Sequence, residues 1–153
     1  MTADTRLKEL GLTLPTAPQP VANYVPAVRS GTLLFLSGVI PSRDGKLVLE
    51  GKLGRDLTIE QGYEAAKVAT LNALANIKQE LGTLDRVTRI LRVVGHVASH
   101  EGFVQHPAVI NGASDLLVAV FGEIGRHSRV ALGAAELPMN APVEIEMIVE
   151  VQS

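Results

Sequence analysis

The chain has 153 residues and no cysteine, with 46% apolar and 20% charged residues and a net charge of -2. This length predicts one domain with its own core, and the lack of cysteine excludes disulfides, thiolate metal sites and cysteine nucleophiles. The acidic balance, the few aromatic residues and the absence of a basic cluster argue against a nucleic acid partner. With no signal-peptide pattern and no run of about 20 apolar residues, we expect a cytoplasmic protein without a membrane partner.

The first 20 residues read as an extension to the domain. Their amphipathic start predicts a short helix or turn, and Pro15, Pro18 and Pro20 then prevent continuous helix or central strand. We therefore divide the chain into an N-terminal extension, residues 1–20, and a single domain, residues 21–153.

Two strands are predicted next, over residues 21–29 and 32–37. The second is apolar on both faces, and a strand of this kind is normally covered on both faces. Residues 42–56 form a polar, hairpin-like excursion around Asp44-Gly45, a dipeptide that favours tight turns.

Two helices follow in the sequence. Thr58 and Gln61 have the spacing of a capping box, and apolar residues recur along one stripe as far as Gly82, a suitable C-terminal cap. Pro107 suits the first turn of a second helix, which has a clear apolar face and ends near Gly122.

Three further strands are predicted, at residues 86–99 between the helices and at 129–135 and 143–151 after them. The last alternates apolar and polar residues with a period of two. The loop between the last two carries two prolines, which favours an antiparallel hairpin. In this interpretation, the non-core face of the hairpin shows Arg129, three glutamates and several small residues.

Two helices cover only one face of a sheet of this size. Residues 32–37 are nevertheless apolar on both faces, and Ile148 lies on the glutamate face of the last strand. A second copy of the chain is the simplest cover for the other face, so we predict a closed homo-oligomer.

The four histidines give no metal site by their spacing. His96 and His100 are four residues apart, but on a strand this separation is about 13 Å, too far for one ion. His106 precedes the proline that begins the second helix. His127 flanks Arg129 and could line a site or lie in a surface loop. No phosphate-binding glycine pattern or nucleophile elbow occurs, so covalent catalysis has no candidate.

Arg129 and the glutamates are the remaining candidates for chemistry. Arginine captures carboxylates through two parallel hydrogen bonds, and a glutamate in a partly dry cleft can act as a general base on water. The alternative is a cross-strand ion pair between Arg129 and Glu150, facing each other in the hairpin. That register puts Glu144 about 20 Å from Glu150, so Arg129 and Glu144 share a site only across a bulge or between chains.

Several motifs resemble those of the reactive intermediate deaminase family (Rid, or YjgF). The resemblance spans about residues 21–151. The motifs are Asn23-Tyr24-Val25-Pro26-Ala27-Val28, Leu36-Ser37-Gly38-Val39-Ile40-Pro41, the helix from Thr58, and Arg129 followed by Leu137-Pro138 and Val143-Glu144-Ile145-Glu146.

The resemblance implies an α+β, chorismate-mutase-like fold, a mixed sheet with two helices packed on one face. It also implies a homotrimer with a ligand cleft between subunits. The implied activity is cofactor-independent hydrolysis of enamines and imines, such as 2-aminoacrylate and 2-iminopropanoate, to a 2-oxo acid and ammonia. The ligand would thus be a small carboxylate-bearing imine, enamine or 2-oxo acid.

The same resemblance assigns roles to individual residues. Arg129 would bind the substrate carboxylate, and Glu144 would position or activate water. The cleft would be lined by Tyr24, the Ser37-Gly38 backbone and Asn111. From the residues alone, the favoured interpretations are a core tyrosine at Tyr24, a strand end at Ser37-Gly38 and a solvated helix face at Asn111.

Departures from the family pattern suggest a divergent branch. His127 and Val130 replace usual residues around Arg129, and Ala131 stands where the family often has cysteine. The alternative function is a non-catalytic, regulatory or chaperone-like trimer that binds small carboxylates. An endoribonuclease role, attached to some members, suits the acidic and aromatic-poor composition badly.

Overall fold

The computed structural model describes residues 1–153. Its three α-helices are α1 (Ala3–Glu9), α2 (Ile59–Leu81) and α3 (His106–Phe121). Its seven strands are β1 (Ala27–Ser30), β2 (Leu33–Leu36), β3 (Ser42–Arg43), β4 (Lys46–Leu47), β5 (Val87–Ala98), β6 (Ser128–Ala134) and β7 (Val143–Val151).

Five of the strands form one mixed sheet in the order β1-β2-β7-β5-β6, and β3 and β4 pair separately. Strands β5 and β6 are parallel and are joined by α3, because parallel neighbours need a long crossover connection. Strand β7 lies between β2 and β5 and is antiparallel to both. The predicted fold class, a mixed sheet with two helices on one face, is confirmed.

The predicted hairpin of the last two strands is wrong, because β5 separates β6 from β7. The connecting segment, residues 135–142, crosses the end of β5, where the Ala98 amide donates to the Pro142 carbonyl at 2.9 Å. The longest strand, β5, gains most from a position with a neighbour on each side, because it has the most backbone groups to pair. A short proline-rich loop therefore did not imply adjacent strands.

The first predicted strand is also shorter than expected. Residues 21–26 form no regular strand, and pairing with β2 begins only at Ala27. Pro26 has no amide hydrogen to donate to a sheet ladder, which explains where the pairing stops.

The two long helices begin and end at the predicted signals. Thr58 and Gln61 form the reciprocal capping box, and Gly82 ends α2 with φ 84°. Pro107 lies in the first turn of α3, and Gly122 follows its last residue. Residues 106–125 are long and apolar enough to span a membrane, although no such stretch was expected, and half of that stretch is buried in the fold.

One face of the sheet is buried beneath α2 and α3, and the other is open. The buried face carries the alternate residues of β7 from Val143 to Val151. On the open face, Val28 is 56%, Phe35 41% and Leu132 45% exposed. The prediction that the helices cover one face only is confirmed.

The N-terminal helix belongs to the same packed unit. Leu7 of α1 is 4% exposed and joins the main core. The segment after α1, up to residue 20, has no regular secondary structure and lies over the surface beside α2.

Candidate functional site

Glu144 is a half-buried carboxylate on the open face of the sheet, beside the end of β2. Its Oε1 is so close to Gly38 that a Cβ atom at that position would lie 2.7 Å away. Burial raises the pKa of the Glu144 carboxyl, nearby Glu146 raises it further, and His96 opposes both. A base whose pKa is raised towards neutrality is suited to taking a proton from water.

The residues before Gly38 form the wall next to this carboxylate. The Ser37 hydroxyl donates to the Val25 carbonyl at 2.6 Å, and the Ser37 amide donates to Pro26 at 2.9 Å. Ser37 thus holds the segment containing Tyr24 against the strand end, and its hydroxyl is already engaged. Tyr24 is 45% exposed and is not a core residue.

Tyr24, Ser37, Gly38 and Glu144 line one cavity of ≈ 650 Å³. A volume of this order suits a small-molecule ligand. The structure therefore brings together four of the six residues that the sequence singled out.

Arg129 is the fifth of these residues and lies elsewhere, on β6 under α3. Its Nη1 donates to Asn111 Oδ1 at 2.8 Å and to Ser114 Oγ at 3.2 Å, and Nη2 reaches the Pro107 carbonyl at 3.5 Å. All three acceptors are neutral. The Nε–Nη2 edge of the guanidinium is thus nearly free, and this edge can hold a carboxylate with two hydrogen bonds.

Asn111, the sixth residue, is on the exposed side of α3 and fixes the position of Arg129. The sequence missed Ser114, which lies one helical turn further along and on the same side. That i, i+3 spacing was the signal that could have identified it.

His127 fixes the hydroxyl of Ser114. The His127 Nδ1 lies 2.6 Å from the Gly125 carbonyl, which only accepts, so Nδ1 carries the hydrogen and donates it. The Nε2 atom then accepts from Ser114, at 2.8 Å. Burial lowers the pKa of His127, as does the neighbouring Arg129, and together they outweigh the opposing effect of the hydrogen bond to Gly125, so the ring is neutral at pH 7.

The alternative ion pair between Arg129 and Glu150 is excluded. In the register of the sheet, Arg129 lies beside Val93, on the face that α3 covers. Glu150 lies opposite Leu33 and Arg89 and accepts from Thr88 at 2.8 Å.

Arg129 and Glu144 also lie on opposite faces of the sheet, which corrects the prediction that the same face presents both. The neighbour of Arg129, Val93, is a core residue, whereas the neighbour of Glu144, His96, is on the open face. One chain therefore carries two half-sites, a carboxylate in a cavity and a partly free guanidinium.

Two of the other three histidines, His96 and His106, have side-chain partners. His96 contacts Glu146 at 3.0 Å on the open face. His106, the first residue of α3, lies 3.3 Å from Ser99 and packs edge-on against Phe103. Within residues 1–153, no three side chains of the usual metal-binding types come together.

The sequence matches the family described as "YjgF/chorismate_mutase-like, putative endoribonuclease" over residues 4–151. An α+β chain with this sheet order and these motifs thus belongs to the YjgF/chorismate mutase-like family. The resemblance noted in the sequence is confirmed.

Similar proteins match almost the whole chain. Protein TCP17 of Trypanosoma cruzi is 42% identical over 148 residues, 96% of this chain and 92% of that protein. The crystal structure of Atu1372 from Agrobacterium tumefaciens, a protein of unknown function, is 47% identical, with TM-score 0.92 over 98% of this chain and 92% of that one. A "putative endoribonuclease" from Shewanella oneidensis is 40% identical, with TM-score 0.95 over 99% and 100%.

Proposed function

We propose that this protein is a cofactor-independent deaminase that hydrolyses reactive imines and enamines bearing a carboxylate, such as 2-aminoacrylate. The observation that carries the proposal is the guanidinium of Arg129, which has only neutral partners and one nearly free edge. A cation held in this way lacks an anion, and a substrate carboxylate supplies it.

Glu144 provides the base in this proposal. The enamine first tautomerises to the imine, which is protonated to an iminium. Glu144 takes one proton from a water molecule while the water oxygen bonds to the iminium carbon and the C=N π pair moves to nitrogen, giving a carbinolamine. Glu144 returns its proton to that nitrogen, the hydroxyl transfers its own proton to the Glu144 carboxylate, and the C–N bond breaks with its electron pair going to nitrogen. Glu144 then releases this proton to solvent, which balances the proton taken up by the imine. The products are a 2-oxo acid and ammonia.

We further propose that the two half-sites meet between subunits of a homotrimer. Arg129 and Glu144 cannot share a ligand within one chain, because the sheet lies between their side chains. The open, apolar sheet face supplies the surface on which a second copy packs. A mass of one chain in analytical ultracentrifugation at micromolar concentration would refute the assembly.

The proposal is tested by ketoacid and ammonia release from freshly generated 2-iminopropanoate. Arg129→Ala removes charge-assisted hydrogen bonds to the carboxylate, so we expect kcat/KM to fall by about 10- to 100-fold or more. Arg126→Ala is the matched control, since Arg126 is exposed and pairs only with Glu123. The deaminase proposal is wrong if the wild-type protein gives no acceleration.

A carboxylate-binding protein without catalysis is the competing function. The hydroxyl of Ser37 is already engaged by Val25, which leaves fewer polar groups to assist a reaction. Such a protein would bind 2-oxobutanoate. Arg129→Ala would abolish this binding, and Glu144→Gln would leave the affinity unchanged.

A further inference from the structure

The cavity beside Glu144 extends well beyond the residues that the chemistry needs. Its ≈ 650 Å³ far exceeds the size of a three-carbon substrate such as 2-aminoacrylate. The additional space, which we call the distal chamber, lies between residues 15–21, the β3–β4 turn and Asn72 and Asn76 of α2.

Asn76 is the strongest sign that this space holds a ligand. The residue is 5% exposed, and its Oδ1 is the one buried side-chain polar atom in residues 1–153 without a hydrogen bond. Leaving such an atom unpaired costs about 1–3 kcal/mol, so buried amides are normally bonded. The Asn76 Nδ2 has no hydrogen bond either, and this end of the amide is not enclosed. Because Asn76 lines the cavity, a ligand there can accept from Nδ2.

Asn72, one helical turn earlier, shows that the asparagine pair is not merely a loosely packed stretch. Its Nδ2 donates to the carbonyls of Ile40 and Ser42, at 3.0 and 2.8 Å. Asn72 therefore holds the chain leading into β3 against α2. Asn76 has no comparable structural task.

The walls of the distal chamber indicate a neutral ligand group. Residues 15–21 contain prolines, Thr16 and Gln19 but no charged side chain. Arg43 and Asp44 of the β3–β4 turn are exposed and carry opposite charges. Since burying an unpaired charge is costly, a neutral polar group fits best.

We propose that the distal chamber binds the side chain of a larger imino acid that ends in a carboxamide. This inference rests on the proposed deaminase function and names its substrate class. The carbonyl of a carboxamide is a neutral acceptor for the unbonded Nδ2 of Asn76. The reacting imine would then lie at Glu144, with the side chain directed towards α2.

The test compares imines generated in place from glutamine, leucine and alanine by an amino acid oxidase. We expect kcat/KM to favour the glutamine-derived imine over the leucine-derived one. Asn76→Leu keeps the side-chain size and removes the amide, so it should lower kcat/KM for the glutamine-derived imine by about tenfold or more. It should leave the alanine-derived imine unchanged within about twofold, and thermal melting confirms that the variant folds.

Calorimetry separates this inference from the proposed function. Glutaramate, which has a carboxylate and a carboxamide but no imine, should bind more tightly than hexanoate, and Asn76→Leu should abolish the difference. If no imine is hydrolysed but glutaramate binds more tightly than hexanoate, the deaminase proposal is wrong and the carboxamide-binding inference is retained. If the alanine-derived imine is hydrolysed, but the glutamine-derived imine is not favoured over the leucine-derived one and glutaramate is not favoured over hexanoate, only the inference about the distal chamber is overturned. A preference for glutarate over glutaramate would also overturn it, in favour of a carboxylate held by Arg43.

Discussion

A chain of hydrogen bonds sets the position of the Arg129 guanidinium. It runs from the Gly125 carbonyl through His127 and Ser114 to Arg129. Each link has a defined donor and acceptor only while the imidazole is neutral. The divergent residue at position 127 thus acts through the arginine rather than on the ligand.

This arrangement predicts a pH dependence of stability. The folded state depresses the pKa of His127, so the unfolded chain takes up a proton first as the pH falls through about 6.5. Stability should therefore decrease from pH 7.5 to 5.5, and His127→Gln should flatten part of that decrease in urea titrations. His100→Gln, which removes an exposed ring without hydrogen bonds, should retain the wild-type slope. Identical slopes for all three proteins would contradict the prediction.

Glu144 has the opposite dependence. Its folded pKa is raised, so the unfolded chain loses its proton first, and the stability contribution is lost as the pH rises above about 4.5. Glu144→Gln should consequently be more stable than wild type at pH 7 in thermal melts, while its activity falls by about 10²- to 10⁴-fold.

Glu146→Gln is the matched control for Glu144→Gln. The Glu146 carboxylate is 50% exposed and pairs with His96, so its loss should change stability by less than about 1 kcal/mol. It should also leave most of the activity. Loss of stability in Glu144→Gln at pH 7 would count against a half-buried base whose pKa is raised by burial.

Individual site residues could be predicted only in part. Arg129 and Glu144 stand in short motifs that a sequence displays directly. The bond from the Ser37 hydroxyl to Val25 depends on how the chain turns before β1, which no local pattern specifies. Asn76 was hidden within a helix stripe that reads as apolar, although a polar residue in such a stripe is itself a signal.

At the scale of elements, the close crossing of α2 and α3 is the most exacting contact. A Cβ atom on Gly112 would lie 2.0 Å from the backbone oxygen of Tyr63. Backbone cannot give way as a flexible side chain can, so Gly112→Ala should cost about 3 kcal/mol or more.

Circular dichroism melts measure that cost. Ala119→Gly, at an exposed position of α3, should cost only about 1 kcal/mol through lower helix propensity. Equal melting temperatures for Gly112→Ala and wild type would mean that the helices can separate at their crossing without penalty.

The elements themselves were largely predictable, and their order in the sheet was not. Local signals mark the helix termini: the capping box at Thr58 begins α2, Gly82 ends α2, and Pro107 lies in the first turn of α3. Sheet order depends on long-range pairing. The sequence strand–helix–strand at β5, α3 and β6 did favour a parallel pair, and weighing it above the proline-rich loop would have placed β5 correctly.

For the whole molecule, the decisive prediction concerns mixed trimers. Each site is proposed to combine Arg129 of one subunit with Glu144 of another. If so, unfolding an equal mixture of the Arg129→Ala and Glu144→Gln proteins and refolding it should restore activity. Random assortment of subunits gives about a quarter of the sites both native residues. The control is each variant unfolded and refolded alone. If the refolded mixture is no more active than either single variant, the two residues belong to separate sites.

The open sheet face was predictable because the sequence predicts too few helices to cover both faces of the sheet. Two amphipathic helices cannot cover both faces of five strands, and Ile148 among glutamates marked the uncovered side. Which strand meets which on a second copy depends on the shape of the complete surface, and no single segment encodes it.

The insertion of β7 between β2 and β5 has a consequence for synthesis on the ribosome. Until residues 143–151 leave the exit tunnel, β1-β2 and β5-β6 are two unjoined halves of a sheet. The nascent chain therefore cannot complete its core until residues 143–151 have emerged. A ribosome-stalled chain ending at residue 142 should accordingly be digested by protease as readily as an unfolded one.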